Sequence, residues 1–234
     1  MLAIFKRELK AYFLSPIAYV CIGLFIAVSS FFFWGNLTGG NGDFNSNLSI
    51  MNFILILIVP ILTMKLLAED RKNGTEVMLV TSPVKLSSIV IGKYLAAFVV
   101  FLCMTVISLI YPIILSGFGS KFTMQLVGGY IGFILLGACF VAFGLFASSL
   151  SENQIISAVV GVVGLLLMYL LQSMSTSFGG VLGTVLGWLS IFSRYNDFDG
   201  GLLNLSNIVY YFSFTAIFIF ITVRIIEKRR WSQG

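Results

Sequence analysis

The sequence predicts an all-α integral membrane protein with six transmembrane helices, and three observations carry that prediction. Of 234 residues, 59% are hydrophobic and 10% charged, against about 25% charged in a soluble domain. The apolar residues come in uncharged runs of about 20, the length a helix needs to cross a hydrocarbon core about 30 Å thick; a barrel would need many alternating polar lumen positions instead. The basic residues also gather on alternate connections, as expected of a chain threaded repeatedly through a bilayer. An N-terminal interfacial helix, a short cytoplasmic helix between spans 2 and 3, and a re-entrant or half-helical extracytoplasmic segment between spans 5 and 6 complete a single transmembrane domain over residues 1–234.

Residues 1–15, MLAIFKRELKAYFLS, place Leu2, Phe5, Leu9, Tyr12 and Phe13 near one helical face and Lys6, Arg7 and Lys10 away from it, the pattern of a helix lying in the interface. The following apolar run is too long for a signal peptide and lacks an A-x-A-like cleavage site, so the segment is expected to be retained. Span 1 covers 17–35, opened by Pro16 and ended by the Gly/Asn-rich stretch at 36–47. Span 2 covers 50–67, with Pro60 inside it as a tolerated kink and Lys65 snorkelling from its end.

The polar stretch 68–88 follows. Six charges fall between Lys65 and Glu76, and a charge at the bilayer centre costs roughly 2.5–3.5 kcal/mol, so this stretch belongs in water. Span 3 is expected at 89–115, with Ser87 or Ser88 as its cap and Lys93 near the headgroups. Span 4 covers 124–149 and span 5 covers 155–172. Residues 173–204 are uncharged at first but broken by Gly179, Gly180, Gly183 and Gly187, which favours half-helices over a seventh span. Span 6 covers 205–224, and its basic end with Trp231 suits an interface anchor.

Charge asymmetry sets the orientation. Lys6, Arg7 and Lys10, then Lys65, Arg71, Lys72, Lys85 and Lys93, then Arg224, Lys228, Arg229 and Arg230 all fall on one side, twelve of the fourteen Lys and Arg residues. Lys121 and Arg194 fall on the other. The positive-inside rule makes both termini and the polar stretch cytoplasmic, in a bacterial-type cytoplasmic membrane. An odd number of spans would separate the two basic termini. The net charge of +5 is accounted for by topology and gives no reason to invoke nucleic acid.

Catalytic chemistry finds no constellation. The chain has no histidine, which removes His-based acid/base work and His-containing metal sites. Gly92-Lys93 lacks the remainder of a P-loop. Asp197-Phe198-Asp199-Gly200 lacks the ligand series of a calcium loop and reads as a solvated turn. Cys21, Cys103 and Cys139 lie within uncharged runs as small packing residues. Gly128 and Gly132, like the glycines near 179–187, have the G-x-x-x-G spacing that lets helices approach closely, and intramolecular packing is their expected use.

Within the polar stretch, Gly74 can end one short helix and Thr75 can cap another whose first turn carries Glu76 at the positive end of the dipole. Val77, Met78, Leu79 and Val80 then present apolar surface until Pro83 stops it. Such a helix either lies back on the membrane or fits a groove on a cytosolic partner.

The run A-E-D-R-K-N-G-T-E-V-M-L-V-T-S-P-V, residues 68–84, resembles the segment between spans 2 and 3 of ABC-2 type transporter permeases, with its charged cluster, Gly-Thr, glutamate, leucine and Pro-Val. E-L-K-A-Y-F-L-S-P-I-A-Y-V at 8–20 and F-D-G-G-L-L-N-L-S-N-I-V-Y-Y-F-S at 198–213 resemble the gliding-motility-type branch of that family. Glu76 directly follows Thr75, where the family more often interposes an apolar residue. The resemblance implies a six-span, non-catalytic half-permease that pairs with a second copy or a related permease and with two copies of a separate ABC ATPase. ATP and Mg2+ are then bound by the ATPase, with no cofactor and no metal in this chain. The resemblance assigns coupling to the ATPase to Glu69, Arg71, Gly74, Thr75, Glu76, Leu79 and Pro83. It implies export of a hydrophobic or amphipathic substrate. The alternative is an ATP-driven envelope machine with an extracytoplasmic accessory subunit. A secondary transporter or channel is a lesser alternative, since ionisable groups near the midplane are missing.

Overall fold

Ser15 and Pro16 open the first long helix: the Ser15 hydroxyl accepts from the Ile17 N–H at 3.2 Å, and Pro16 occupies the first turn, where a missing N–H costs nothing. The computed structural model describes residues 1–39, 44–75, 85–117, 124–178 and 180–232, and among these all regular structure is helical. The helices are α1 (Leu2–Leu14), α2 (Pro16–Thr38), α3 (Asn45–Thr63), α4 (Lys65–Lys72), α5 (Leu86–Ser108), α6 (Ile110–Gly117), α7 (Met124–Leu150), α8 (Gln154–Ser177), α9 (Gly180–Leu189), α10 (Ile191–Asp199) and α11 (Leu205–Ser232).

Six of the helical stretches are long and apolar enough to cross a membrane, with α3–α4 and α5–α6 each counted as one span. The expected six-span, all-helical architecture is therefore what the chain adopts. At its centre is α7, with 72% of its apolar window buried against 17% for α8 and for α11, and it packs on α3, α5, α8, α10 and α11. The outward stripe of α8 (Ile155, Val159, Val163, Leu167, Leu170) stays exposed, as an apolar face turned to lipid should.

Glycines of α7 let neighbours approach its backbone. A Cβ on Gly132 would lie 2.6 Å from the Phe198 Cβ, and one on Gly128 would lie 2.8 Å from the Phe198 carbonyl oxygen. The G-x-x-x-G pair therefore seats α10. The stretch expected as a solvated turn is accordingly the last turn of that helix, Asp197 to Asp199, with Gly200 as its C-cap and with Tyr195 and Phe198 buried. Its charges are tied down beyond it: Asp197 Oδ2 accepts from Asn207 Nδ2 at 2.7 Å, and Arg194 donates to Asn207 Oδ1 at 3.0 Å. Within 173–204, α9 packs along α8.

Three smaller expectations are corrected. The helix after the polar stretch starts at Leu86 behind Lys85, which makes no side-chain cap bond, so neither Ser87 nor Ser88 caps it. The inward stripe of α1 is Ile4, Phe5, Glu8, Leu9 and Tyr12; Leu2 and Phe13 are exposed. Third, α3 starts at Asn45, ahead of the apolar run, because Asn45 Nδ2 finds the carbonyl oxygens of Gln125 (3.2 Å) and Asp199 (3.0 Å). Asn45 can then enter the bundle with its amide donor met.

A candidate transmission site at the basic end

The N-terminal helix, α4, the α7–α8 turn and the end of α11 meet at one end of the bundle. Arg229, near the end of α11, donates to the Ser149 carbonyl oxygen, and Arg71 of α4 pairs with Glu152 in the turn at 2.7 Å. Helix α1 and the last turns of α11 thus lie on the same side of the spans.

Between α3 and α4 the helix breaks at Met64, and Ser148 of α7 closes the break. Its hydroxyl accepts from the Leu67 N–H (3.0 Å) and the Ala68 N–H (3.2 Å) and donates to the Met64 carbonyl oxygen (2.9 Å). These are backbone groups that a helix terminus would otherwise leave unsatisfied. One turn earlier, a Cβ on Gly144 would lie 2.2 Å from Thr63 Oγ1, so only glycine lets α7 come this close. The joint that carries the polar stretch is thereby stitched to the central helix.

Lys93 is the electrostatic centre of this end. It lies about two turns into α5 and is 1% exposed. Its ammonium lies 2.6 Å from Asp70 Oδ2 of α4 and 3.1 Å from Glu8 Oε1 of α1. The Asp70 contact is ionic, with angles outside hydrogen-bonding geometry. Glu8 reaches the ammonium because it rides the packed face of α1, whose Ile4 presses on Gly92, the residue before Lys93. On its outer side Glu8 also pairs with Arg7 at 2.6 Å. A buried ammonium survives only with its charge compensated, and here two carboxylates from two other elements compensate it.

Tyr12 fixes the same helix from its other end, donating to the Leu62 carbonyl oxygen at 2.9 Å. Burial pushes its phenol well above the ordinary range, helped by the nearby Glu8 carboxylate. It therefore serves as a neutral donor.

Among the residues assigned to coupling, Gly74 ends α4 with φ +70°, a left-handed conformation natural to glycine after a helix. Its neighbour Thr75 turns its hydroxyl back to Asp70, donating to the carbonyl oxygen (3.1 Å) and to Oδ1 (3.0 Å), so Gly74 and Thr75 brace the carboxylate that Lys93 grips. Arg71 holds Glu152, while Glu69 lines a crevice against α1 and takes no part in the ion pairs among the described residues. Glu76, Leu79 and Pro83 lie outside the described residues.

The sequence assigns Glu8, Lys93, Asp70, Ser148 and Glu152 no part in coupling. The available signal was Lys93 itself, a lone charge inside an apolar run, which in a membrane demands a carboxylate. Among the described residues, no three His, Cys, Asp or Glu side chains gather as a metal site would need. The arrangement has the features of a mechanical joint: three elements held by one buried charge.

A family model described as ABC-2 family transporter protein matches residues 4–227. No curated protein matches the chain.

Proposed function

The chain belongs to the ABC-2 family of transporter proteins, and on that premise we propose that it is the permease whose basic end receives the motion of a partner ATPase and passes it to the spans through Lys93. It is the membrane subunit of an ABC transporter, and such a subunit works with an ABC ATPase that carries the catalysis. In the proposed assembly the basic end faces the cytoplasm of a bacterial-type cell. Two ATPase copies dock there, and a second permease copy or a related permease completes the pathway. The cargo is hydrophobic or amphipathic, in keeping with apolar spans that offer it no ionisable midplane group.

The observation that supports this reading best is the burial of Lys93 between Glu8 and Asp70. A force applied to the polar stretch 68–84 reaches Asp70 at its root. Asp70 is tied to α5 by the ion pair, α5 is tied to α1 by Glu8, and the α3–α4 joint is tied to α7 by Ser148. Packed elements so linked move as a body or switch together. The reading is tested by isolating the complex from native membranes with a tag on this chain. The expected result is an ATP-hydrolysing subunit at one copy per permease; recovery of this chain with no ATPase, together with ion-driven uptake by the chain alone, would overturn it.

A further inference from the structure

Beside the Lys93 node, a crevice of about 240 Å3 opens between α1 and α4. Its apolar wall is Ala11, Leu14 and Leu66, and its polar wall includes Ser15, Lys65 and Glu69. Lys65 and Glu69 stand four residues apart on one helix, a spacing at which opposite charges commonly pair. They do not pair: Lys65 Nζ donates across the crevice to Ser15 Oγ at 2.9 Å, and Glu69 has no ion pair among the described residues. The other carboxylate of the crevice, Glu8, is committed to Arg7 and Lys93. Ser15 Oγ already accepts from Lys65 and from the Ile17 N–H, so its own proton is left to donate. The crevice thus offers ammonium and hydroxyl donors at one point and a carboxylate one helical turn away, unneutralised by each other.

A zwitterion of the same span, with a phosphate next to a primary ammonium, complements that pattern. The crevice lies where the apolar runs of α2 and α3 give out, beside Leu14, which is 76% exposed. Its volume is below the roughly 300–1,000 Å3 of a drug-sized pocket; it has room for a headgroup, with the chains running over Leu14. We propose that this crevice holds one phospholipid bearing a primary-ammonium headgroup, its phosphate on Lys65 and Ser15 and its ammonium on Glu69. The exposed apolar side chain at the mouth favours a lipid over a water-soluble phosphoester.

The test is native mass spectrometry of the purified full chain in detergent with equal amounts of phosphatidylethanolamine, phosphatidylcholine and phosphatidylglycerol. Phosphatidylethanolamine should be retained at least about fivefold over the other two, because only its ammonium can both donate to and neutralise a carboxylate. Glu69→Gln should erase that preference, and Lys65→Met should lower retention of all three lipids. Glycerophosphoethanolamine, which has no acyl chains, should compete poorly. Equal retention of the three lipids, a preference that survives Glu69→Gln, or full competition by the chain-free headgroup would each overturn the proposal. So would variants that keep their lipid but lose the ATPase, since the crevice would then belong to that subunit. Both side chains are partly exposed and Lys93 is untouched, and Lys65→Arg, which keeps the phosphate donors, should retain the lipid.

Discussion

Lys93 carries a charge where the surrounding helix carries none, and its two carboxylates make it affordable there. Removing one member of a buried pair leaves a bare charge, at a cost of roughly 3–5 kcal/mol, whereas replacing both with uncharged residues is often neutral. Lys93→Met alone, which strips Asp70 of its cation, should therefore lower the unfolding midpoint in detergent markedly, and Asp70→Asn alone should lower it less, because Glu8 stays on the ammonium. The Asp70→Asn/Lys93→Met double variant should return close to wild type, because Glu8 keeps Arg7 as a partner. Equal destabilisation by the double variant and by Lys93→Met would remove the pair from the account. The need for a partner was legible in the sequence, since a lone lysine in an uncharged run has to be compensated. The identity of the partners was not: Glu8 and Asp70 are two of nine acidic residues, and only the packing of α1 and α4 against α5 selects them. Ser148 was still less visible, because a serine near the end of an apolar helix has no distinguishing pattern until the helix break it satisfies is known.

Among the elements, α4 and the stretch beyond it carry the coupling proposal. In that proposal the apolar residues that follow Thr75 are the surface offered to the ATPase, and a charge placed there should be refused by an apolar groove. Leu79→Asp is expected to abolish transport-coupled ATP hydrolysis in the reconstituted complex while membrane insertion, followed by protease protection, is unchanged. Normal coupling in that variant would count against docking through this segment. Element identity was read well where hydropathy alone decides, as for α2, α7, α8 and α11. It was read less well where tertiary contacts override the local pattern. Asn45 begins a span because Gln125 and Asp199 receive its amide, and Asp197 sits on a helix because Gly128 and Gly132 let that helix seat on α7. The inward face of α1 includes Glu8, which no hydrophobic stripe would include.

For the whole molecule, six spans and two basic ends follow from composition and from the distribution of Lys and Arg, because the bilayer constrains both. The assembly is a proposal of the same scale, and its orientation has a direct check. Against the native cysteines, all buried or half-buried, a cysteine at Gly42 should react with an impermeant maleimide added to whole cells, and one at Lys72 should not; the reverse pattern would invert the topology. The central claim is that the basic end passes ATPase motion to the spans through the Lys93 node. Its most direct test is ATP hydrolysis and transport by the reconstituted complex carrying Asp70→Asn/Lys93→Met, the variant expected to fold. Coupled hydrolysis should fall about tenfold with assembly intact, within the usual coupling range of roughly 1–3 kcal/mol. Wild-type coupling in a folded, assembled double variant would contradict the account.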